Sequence, residues 1–375
     1  MAKTEVRDIV GMNATDYTFQ WPVRTHVGAG LLHRIGQLVP PTADRRHALI
    51  VSAAEDWCQP LNQRIAGRLR AAGYQTVETF AQVEPNPSWE TVHQGAAFFQ
   101  QHELESIFAL GGGSTLDAAK VIAMESGGAH LIAIPTTAGT GSELNEWGVI
   151  TDTRSRDKQS IQAIMPHTAI LDPEVTLTLS PRATLLTGID AFSHALECYV
   201  GTTANPITDA LALTGMDLVA RWLRRAVDHG DDLQARRGML EASMFGGASM
   251  LGAGLGLMHG IGNVAGGLTH DAHGLILARL LDPVLAFNEP AIPRIKLDRI
   301  QPFLDAIRAL IRDKFATLDI PDIELKERDL DTLAQRSLGN VNSRTNPRPF
   351  TRKDILRIAR RSFHITAAGS KGGDS

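Results

Sequence analysis

The chain has 375 residues, 43% of them hydrophobic and 21% charged, which is enough for two domains with a buried core in each. A net charge of −4 provides no field to recruit nucleic acid or an anionic membrane, so neither is expected as a partner. No stretch reaches the roughly 18 uninterrupted apolar residues of a membrane span, and the opening MAKTEVRDIVGMNATDY lacks an apolar signal-peptide core. With only Cys58 and Cys198 there is no disulfide framework, and the expectation is a cytoplasmic protein.

From about residue 20 to 150 short β-rich runs alternate with helical patterns: HALIVSA, LNQRIAGRLRAAG, YQTVETF, TVHQGAAFFQQH, SIFALGGG, LDAAKVIAM and HLIAIPTT. This alternation predicts βαβ units on a parallel sheet, with any nucleotide site at the C-terminal ends of the strands. After DPEVTLTLSP the pattern changes to long Ala, Leu and Gly rich segments of helical period, which predict an all-α second domain. Pro173 and Pro181 bracket the change, so the boundary is placed near residue 180, giving domains 1–180 and 181–375. The tail AAGSKGGDS is expected to be disordered.

Within the first half, SIFALGGGSTLDAAK runs an apolar strand into three glycines, a serine and a helix. Glycines let backbone approach a pyrophosphate, and the following helix offers free N–H groups and the positive end of its dipole. Gly111, Gly112, Gly113 and Ser114 are therefore the candidate cradle, although the spacing matches neither G-x-G-x-x-G nor the P-loop, and a plain glycine turn would look the same. Asp117 and Lys120, one turn on, are either a surface pair or a tie for the loop. A second strand opens into TTAGTGSE, where Thr136, Thr137, Thr140 and Ser142 crowd hydroxyls beside two glycines. Lys158, in TDTRSRDKQS, is either a solvated charge or a cation for nucleotide phosphate.

In the second half Asp190 and His194 stand four residues apart in GIDAFSHALE, on one face of a helix. His259 and His273 stand fourteen apart in GLMHGIGNVAGGLTHDAHG, a spacing that suits a helix, a glycine turn and the next helix start. Singly, Asp190 could cap a helix and each His could be an ordinary core or surface residue. Together they stand out from an apolar background as three imidazoles and a carboxylate for one divalent metal, with a coordination position left over for substrate. Cys198 falls one turn after His194 and is read as a buried structural thiol.

GGGSTLDAAK, IPTTAGTGSE, ILDPEVT, GIDAFSHALECY, GLGLMHGIGN and HDAHG occur in this order, flanked by VEPNPSWETV and TNPRPFTRKDI. Together they resemble the iron-containing (group III) alcohol dehydrogenases over essentially the whole chain. The resemblance implies an α/β, Rossmann-like nucleotide-binding domain and an all-α metal-binding domain, the architecture shared with dehydroquinate synthase, with substrate in the cleft between. It places the catalytic metal, Fe²⁺ or Zn²⁺, on Asp190, His194, His259 and His273. It places nucleotide contacts on Asn86, Gly112, Gly113, Ser114, Asp117, Thr136, Thr137, Thr140, Val149 and Lys158. The implied reaction is NAD(P)-linked hydride transfer between nicotinamide C4 and the carbinol carbon of a small alcohol, with a homodimer or higher homo-oligomer as the assembly.

Three positions depart from the family pattern. Ala53 replaces an Asp that would hold the adenosine ribose and repel a 2′-phosphate, which admits NADP as well as NAD. Asn263 replaces a His four residues after the third ligand, which puts a proton relay there in doubt. The stretch from Phe287 to Pro321 is expected to be short by a helix or part of one. Trp147 and Leu255 are the candidate substrate-pocket residues, Trp147 favouring slim aliphatic substrates unless it merely packs between the domains. No cluster of Arg or Lys adjoins the metal pairs in sequence, so no phosphorylated or carboxylated substrate is called for. The alternatives are a dehydroquinate synthase-like lyase, which would need a basic pocket, a maleylacetate reductase relative, which usually dispenses with the metal, and a catalytically silent nucleotide-binding protein, which would have lost ligand or glycine positions.

Overall fold

The computed structural model describes residues 16–154 and 157–367; the expectation for the tail beyond them lies outside the described residues. In the first half seven predicted elements form in register with the pattern: β2 (His47–Ala53), α2 (Cys58–Ala71), β3 (Thr76–Val83), α3 (Trp89–Gln101), β4 (Ser106–Gly111), α4 (Gly113–Glu125) and β5 (His130–Pro135). A strand β1 (Arg24–Val27), a one-turn helix α1 (Ile35–Leu38) and β8 (Thr168–Leu171) complete the layer, and β6 (Trp147–Asp152) with β7 (Asp157–Gln162) forms a separate antiparallel hairpin. The six-stranded sheet has the order β1-β8-β5-β4-β2-β3, with every pairing parallel.

Alternate residues of its central strands enter different cores. Leu49, Val51, Ile107, Ala109 and Leu131 pack with α3 and α4 on one face, while Ala48, Ile50, Phe108, Leu110 and Ile132 pack with α1 and α2 on the other. A period of two buried on both sides is what a doubly wound sheet requires. Because β3 and β4 flank β2 on opposite sides, the winding reverses between β2 and β4. The chain leaves those strands at Ala53 and Gly111 in divergent directions, and that crevice is where such folds bind nucleotides.

From Pro181 onward the chain is helical: α5 (Pro181–Val200), α6 (Pro206–Asp228), α7 (Leu233–Ala253), α8 (Leu257–Thr269), α9 (His273–Asn288), α10 (Arg294–Thr317), α11 (Leu330–Gly339) and α12 (Arg352–Ser362), with a two-stranded β9 (Glu324–Lys326) and β10 (His364–Thr366). Pro181 opens α5 where its missing N–H is harmless, and the Ser180 hydroxyl accepts from Ala183 N, a standard entry. The stretch from Phe287 to Pro321, expected to be short by a helix or part of one, carries the 24-residue α10. Its Lys296 is buried, donating to Asp209 Oδ1 at 3.0 Å and lying over the Tyr199 ring at 4.4 Å. No single helix among the described residues is long and apolar enough to cross a membrane; α7 and α8 reach that length only taken together, and the chain bends by 110° between them, near Gly254.

Candidate active site

The middle of α5 presents Asp190 and His194 on one face, as their spacing predicts, and both are buried. His259 lies in the first turn of α8 and His273 is the first residue of α9. Gly274 allows α9 to start there, since a Cβ at that position would sit 2.0 Å from Leu186 O. The four side chains converge on one carboxylate oxygen: Asp190 Oδ1 is 3.5 Å from His194 Nδ1, 3.6 Å from His259 Nε2 and 3.8 Å from His273 Nε2. Asp190, His259 and His273 each bring a ligand atom within 4.8 Å of the others, and His194 stands beside them with its ring 4.2 Å from that of His259.

None of these distances is a hydrogen bond. Asp190 Oδ1, His194 Nδ1 and His259 Nε2 are buried without any partner, a costly arrangement unless a cation satisfies all of them at once. Imidazole and carboxylate in this ratio suit Fe²⁺ or Zn²⁺. Burial opposes ionisation of Asp190, yet the three surrounding rings hold its carboxyl below the usual range. Burial pushes His194 down to about 4 and His273 to about 3, against the pull of Asp190. Both rings are therefore neutral, with lone pairs free for coordination.

His259 behaves differently because of a residue the sequence analysis did not single out. Glu197, one turn beyond His194 on α5, is buried, and its Oε2 meets His259 Nδ1 at 2.7 Å. The same carboxylate accepts from the backbone N–H groups of Gly256 and Met258 at 2.9 and 2.6 Å, so it closes the N-terminus of α8 in place of a side-chain cap. Burial opposes a charge on His259, but Asp190 and Glu197 outweigh it and raise the ring to about 9. The carboxylates favour positive charge at the atom that faces the cluster, and Glu197 fixes which nitrogen that is.

The nucleotide side is built from backbone. Gly112 starts α4 with no side-chain cap, leaving the first N–H groups of the helix open toward an anion. The two glycine loops press on each other: a Cβ on Gly113 would lie 2.6 Å from Thr140 Cγ2, and one on Gly112 would lie 3.1 Å from Thr137. Asp117 and Lys120 are not a surface pair. Lys120 is fully buried and donates to Ser142 O and Oγ, to Asn145 and to Trp147 O. Asp117 accepts from Ser142 Oγ at 2.5 Å and from Val149 N at 3.0 Å, and so ties the second loop and the β6–β7 hairpin to α4. Asn86, at a φ of 57°, receives Lys158 Nζ on its Oδ1 at 2.8 Å and offers its N–H to Ser114 Oγ. Burial lowers the Lys158 ammonium from the ordinary lysine range.

Two close approaches join the halves. Gly141, at a φ of 61°, lies so near α7 that a Cβ would be 2.5 Å from Gly247 Cα, and its N–H donates to Ser243 Oγ. A Cβ on Gly139 would be 3.2 Å from Asp190 Oδ2, so the second nucleotide loop runs directly over the histidine cluster. The cleft between them has a volume of about 680 Å³ and is lined by Asn86, Gly113, Ser114 and Lys158 on one side and His194, His259 and His273 on the other.

The sequence profile of the iron-containing alcohol dehydrogenases matches residues 22–173, and that of the C-terminal part of the Fe-containing alcohol dehydrogenase family matches residues 184–363. The chain belongs to the iron-containing alcohol dehydrogenase family. It is 31% identical to a choline dehydrogenase of Bacillus subtilis (strain 168), over 93% of this chain and 96% of that one. It is 32% identical to an NAD-dependent methanol dehydrogenase of Bacillus methanolicus, over 91% and 98%. Among solved structures, a 1,3-propanediol oxidoreductase superposes with a TM-score of 0.84 at 30% identity over 93% of this chain and all of that one. An alcohol dehydrogenase from Oenococcus oeni gives 0.83 at 29% over the same shares. The protein is a metal-dependent, nicotinamide-linked alcohol dehydrogenase.

In this dehydrogenase Asp117, Thr140, Ser142, Val149, Trp147 and Leu255 also line the cleft, and Trp147 is 40% exposed. Gly111, Gly112, Thr136 and Thr137 do not. Gly111 ends β4, where its carbonyl accepts from Thr136 N and a Cβ would collide with Thr115, so these residues shape the loops from beneath. Cys198 is a buried thiol donating to Gly254 O. Asn263 faces the cleft in the place of the missing His. Gln20, Met250, Leu251, Asn342, Arg344 and Thr345 also line it; Glu197 had a signal, three residues after His194 on the same helix face, whereas these are brought in by distant segments with none.

Proposed function

We propose that this alcohol dehydrogenase interconverts small aliphatic alcohols and aldehydes, using NAD or NADP with Fe²⁺ or Zn²⁺ held by Asp190, His194, His259 and His273. The observation that carries this reading is the close approach of Gly139 to Asp190, where a Cβ would be 3.2 Å from Oδ2; it supports a nicotinamide and a metal ligand facing one cleft. When bound, the metal supplies a Lewis acid for the substrate oxygen and the nicotinamide supplies or accepts the hydride. The open N-terminus of α4 and the Gly113 and Ser114 backbone receive the diphosphate. Asn86 and Lys158 hold one another beside it, giving a placed cation for phosphate. Glu197 keeps His259 Nε2 turned to the cluster, and Trp147, Met250, Leu251 and Leu255 narrow the cleft and keep water from the reacting carbon.

Ala53 ends β2 at the point where the winding reverses. With no carboxylate there, nothing at this position repels a 2′-phosphate, which supports NADP as a cofactor beside NAD. The two buried cysteines fit a reducing, cytoplasmic setting, the domains divide near residue 180, and a homodimer or higher homo-oligomer is the proposed assembly. The test is oxidation of NADH and of NADPH by a series of short aldehydes, with A53D beside the native protein. Short unbranched aldehydes should be the best neutral substrates, and A53D should move the cofactor ratio toward NADH; a ratio unmoved by A53D would show that position 53 does not face the ribose.

A further inference from the structure

The segment Val341–Thr345 follows α11 as a turn of 3₁₀ helix and is pressed onto α8 just past His259. A Cβ on Gly260 would lie 1.8 Å from Ser343 Oγ, Ser343 Oγ donates to Ser337 O, and Thr345 Oγ1 donates to Leu255 O. Next to it Asn346 Oδ1 accepts from Leu257 N at 3.1 Å and Asn346 pairs through both amide groups with Asn288. The segment is thus fixed to the start of the helix that carries a metal ligand, and it lines the cleft with Val341, Asn342, Arg344 and Thr345.

Arg344 is exposed and has no hydrogen-bond or ion-pair partner among the described residues. What sets it apart is its place: Arg182, Arg312 and Arg361 are exposed in the same domain without a partner among the described residues but do not line the cleft, whereas Arg221, Arg224, Arg225, Arg237, Arg308 and Arg360 each meet an Asp or Glu. The other cation on the cleft, Lys158, is already engaged by Asn86 at the nucleotide loop. Of the two carboxylates on the lining, Asp117 is bonded to Ser142 and Val149, and Glu146 lies within electrostatic reach of the buried Lys120. An unpaired planar donor therefore lines a cleft whose wall also includes the apolar side chains of Met250, Leu251, Leu255 and Val341, with Asn342 and Thr345 as neutral polar neighbours.

We propose that Arg344 selects alcohols and aldehydes that carry an anionic terminus, a carboxylate above all, at the end remote from the reacting carbon. This rests on the dehydrogenase reading of the same cleft and names the substrate class within it. A guanidinium binds a carboxylate through two parallel N–H donors, a geometry Lys cannot reproduce. The apolar wall would carry the intervening methylenes while the reaction itself is unchanged: the nicotinamide hydride reaches the carbonyl carbon and a proton the oxygen.

The test compares kcat/KM for three aldehydes of equal length, ending in a methyl, a carboxylate or a trimethylammonium group, in the native enzyme, R344Q, R344K and R344E. The native enzyme should favour the carboxylate over the methyl compound by about tenfold, chiefly through KM, with the advantage shrinking in high salt. R344K should keep part of that ratio, R344Q should abolish it and R344E should invert it. No preference in the native enzyme, a preference that survives R344Q, or a preference for the trimethylammonium compound would each overturn the proposal while leaving the dehydrogenase intact. Turnover of none of the three with either cofactor would remove the underlying activity and this inference with it.

Discussion

The two halves of the cleft hold their ligands by different means. On the sheet side the working groups are backbone N–H donors at the open end of α4, and the residues that matter most are glycines whose neighbours leave no room for a Cβ. On the helical side the working groups are side chains, buried and unpaired except where Glu197 orients one of them. A backbone site depends on how closely two loops can approach, whereas a side-chain site depends on which atoms are presented. Damage to the first should spread through geometry, and damage to the second should remain local and chemical.

The sharpest break of this contrast is H259A. It removes a ligand while touching neither glycine loop, so kcat should fall on the order of a thousandfold, from several kcal/mol of lost oxygen polarisation. Nucleotide affinity, followed by nicotinamide fluorescence, should stay within a few-fold. Next in size is E197Q, which keeps the shape but weakens the hold on His259; metal affinity should drop roughly 10- to 100-fold, measured by competition with a chelator, with nucleotide binding again preserved.

G141A should show the opposite pattern. The new methyl meets Gly247 at a φ of 61°, so about 1–3 kcal/mol of strain enters the junction of the halves. Nucleotide affinity should fall about tenfold while metal content per chain, read by elemental analysis, is unchanged; loss of metal with intact nucleotide binding would reverse the assignment of the two sides.

The smallest effect concerns Glu143, buried at the end of the second loop with Oε1 unpartnered. Burial raises its carboxyl to about 7 from an ordinary 4.5. The folded state then binds the proton more tightly than the unfolded state, so stability from this group is full below the ordinary value and is lost as pH rises through about 7. E143Q should leave the melting temperature alone in mild acid and raise it in mild alkali; equal shifts at both pH values would show that the carboxyl is not burdened by its ionisation.

What the sequence disclosed follows from distance along the chain. Asp190 and His194 are one turn apart, and His259 and His273 sit at two helix starts separated by a glycine-rich stretch, so local periodicity was enough to gather them. The strands β2 to β5 were legible from their alternation, and the glycine loops from their place at strand ends. Glu197 lies on the helix face of Asp190 and His194, but its bond to His259 joins residues 62 apart in the chain, which local periodicity does not show. Lys120 could not be placed, since only the return of residues 142–147 across α4 shows that it is a buried anchor. Arg344, some seventy residues beyond the last ligand, reaches the cleft only because Ser343 and Asn346 pin its segment to α8. The β6–β7 hairpin was hidden by a polar sequence that reads as a loop until it packs on α4.

The central claim, hydride transfer at a cleft shared by the two glycine loops and the histidine cluster, is most directly tested by aldehyde-dependent oxidation of NADH and NADPH before and after exhaustive chelation. The account predicts turnover that disappears with the metal, returns on adding Fe²⁺ or Zn²⁺, and is accompanied by unchanged nucleotide binding throughout. Full turnover by metal-free protein would contradict it.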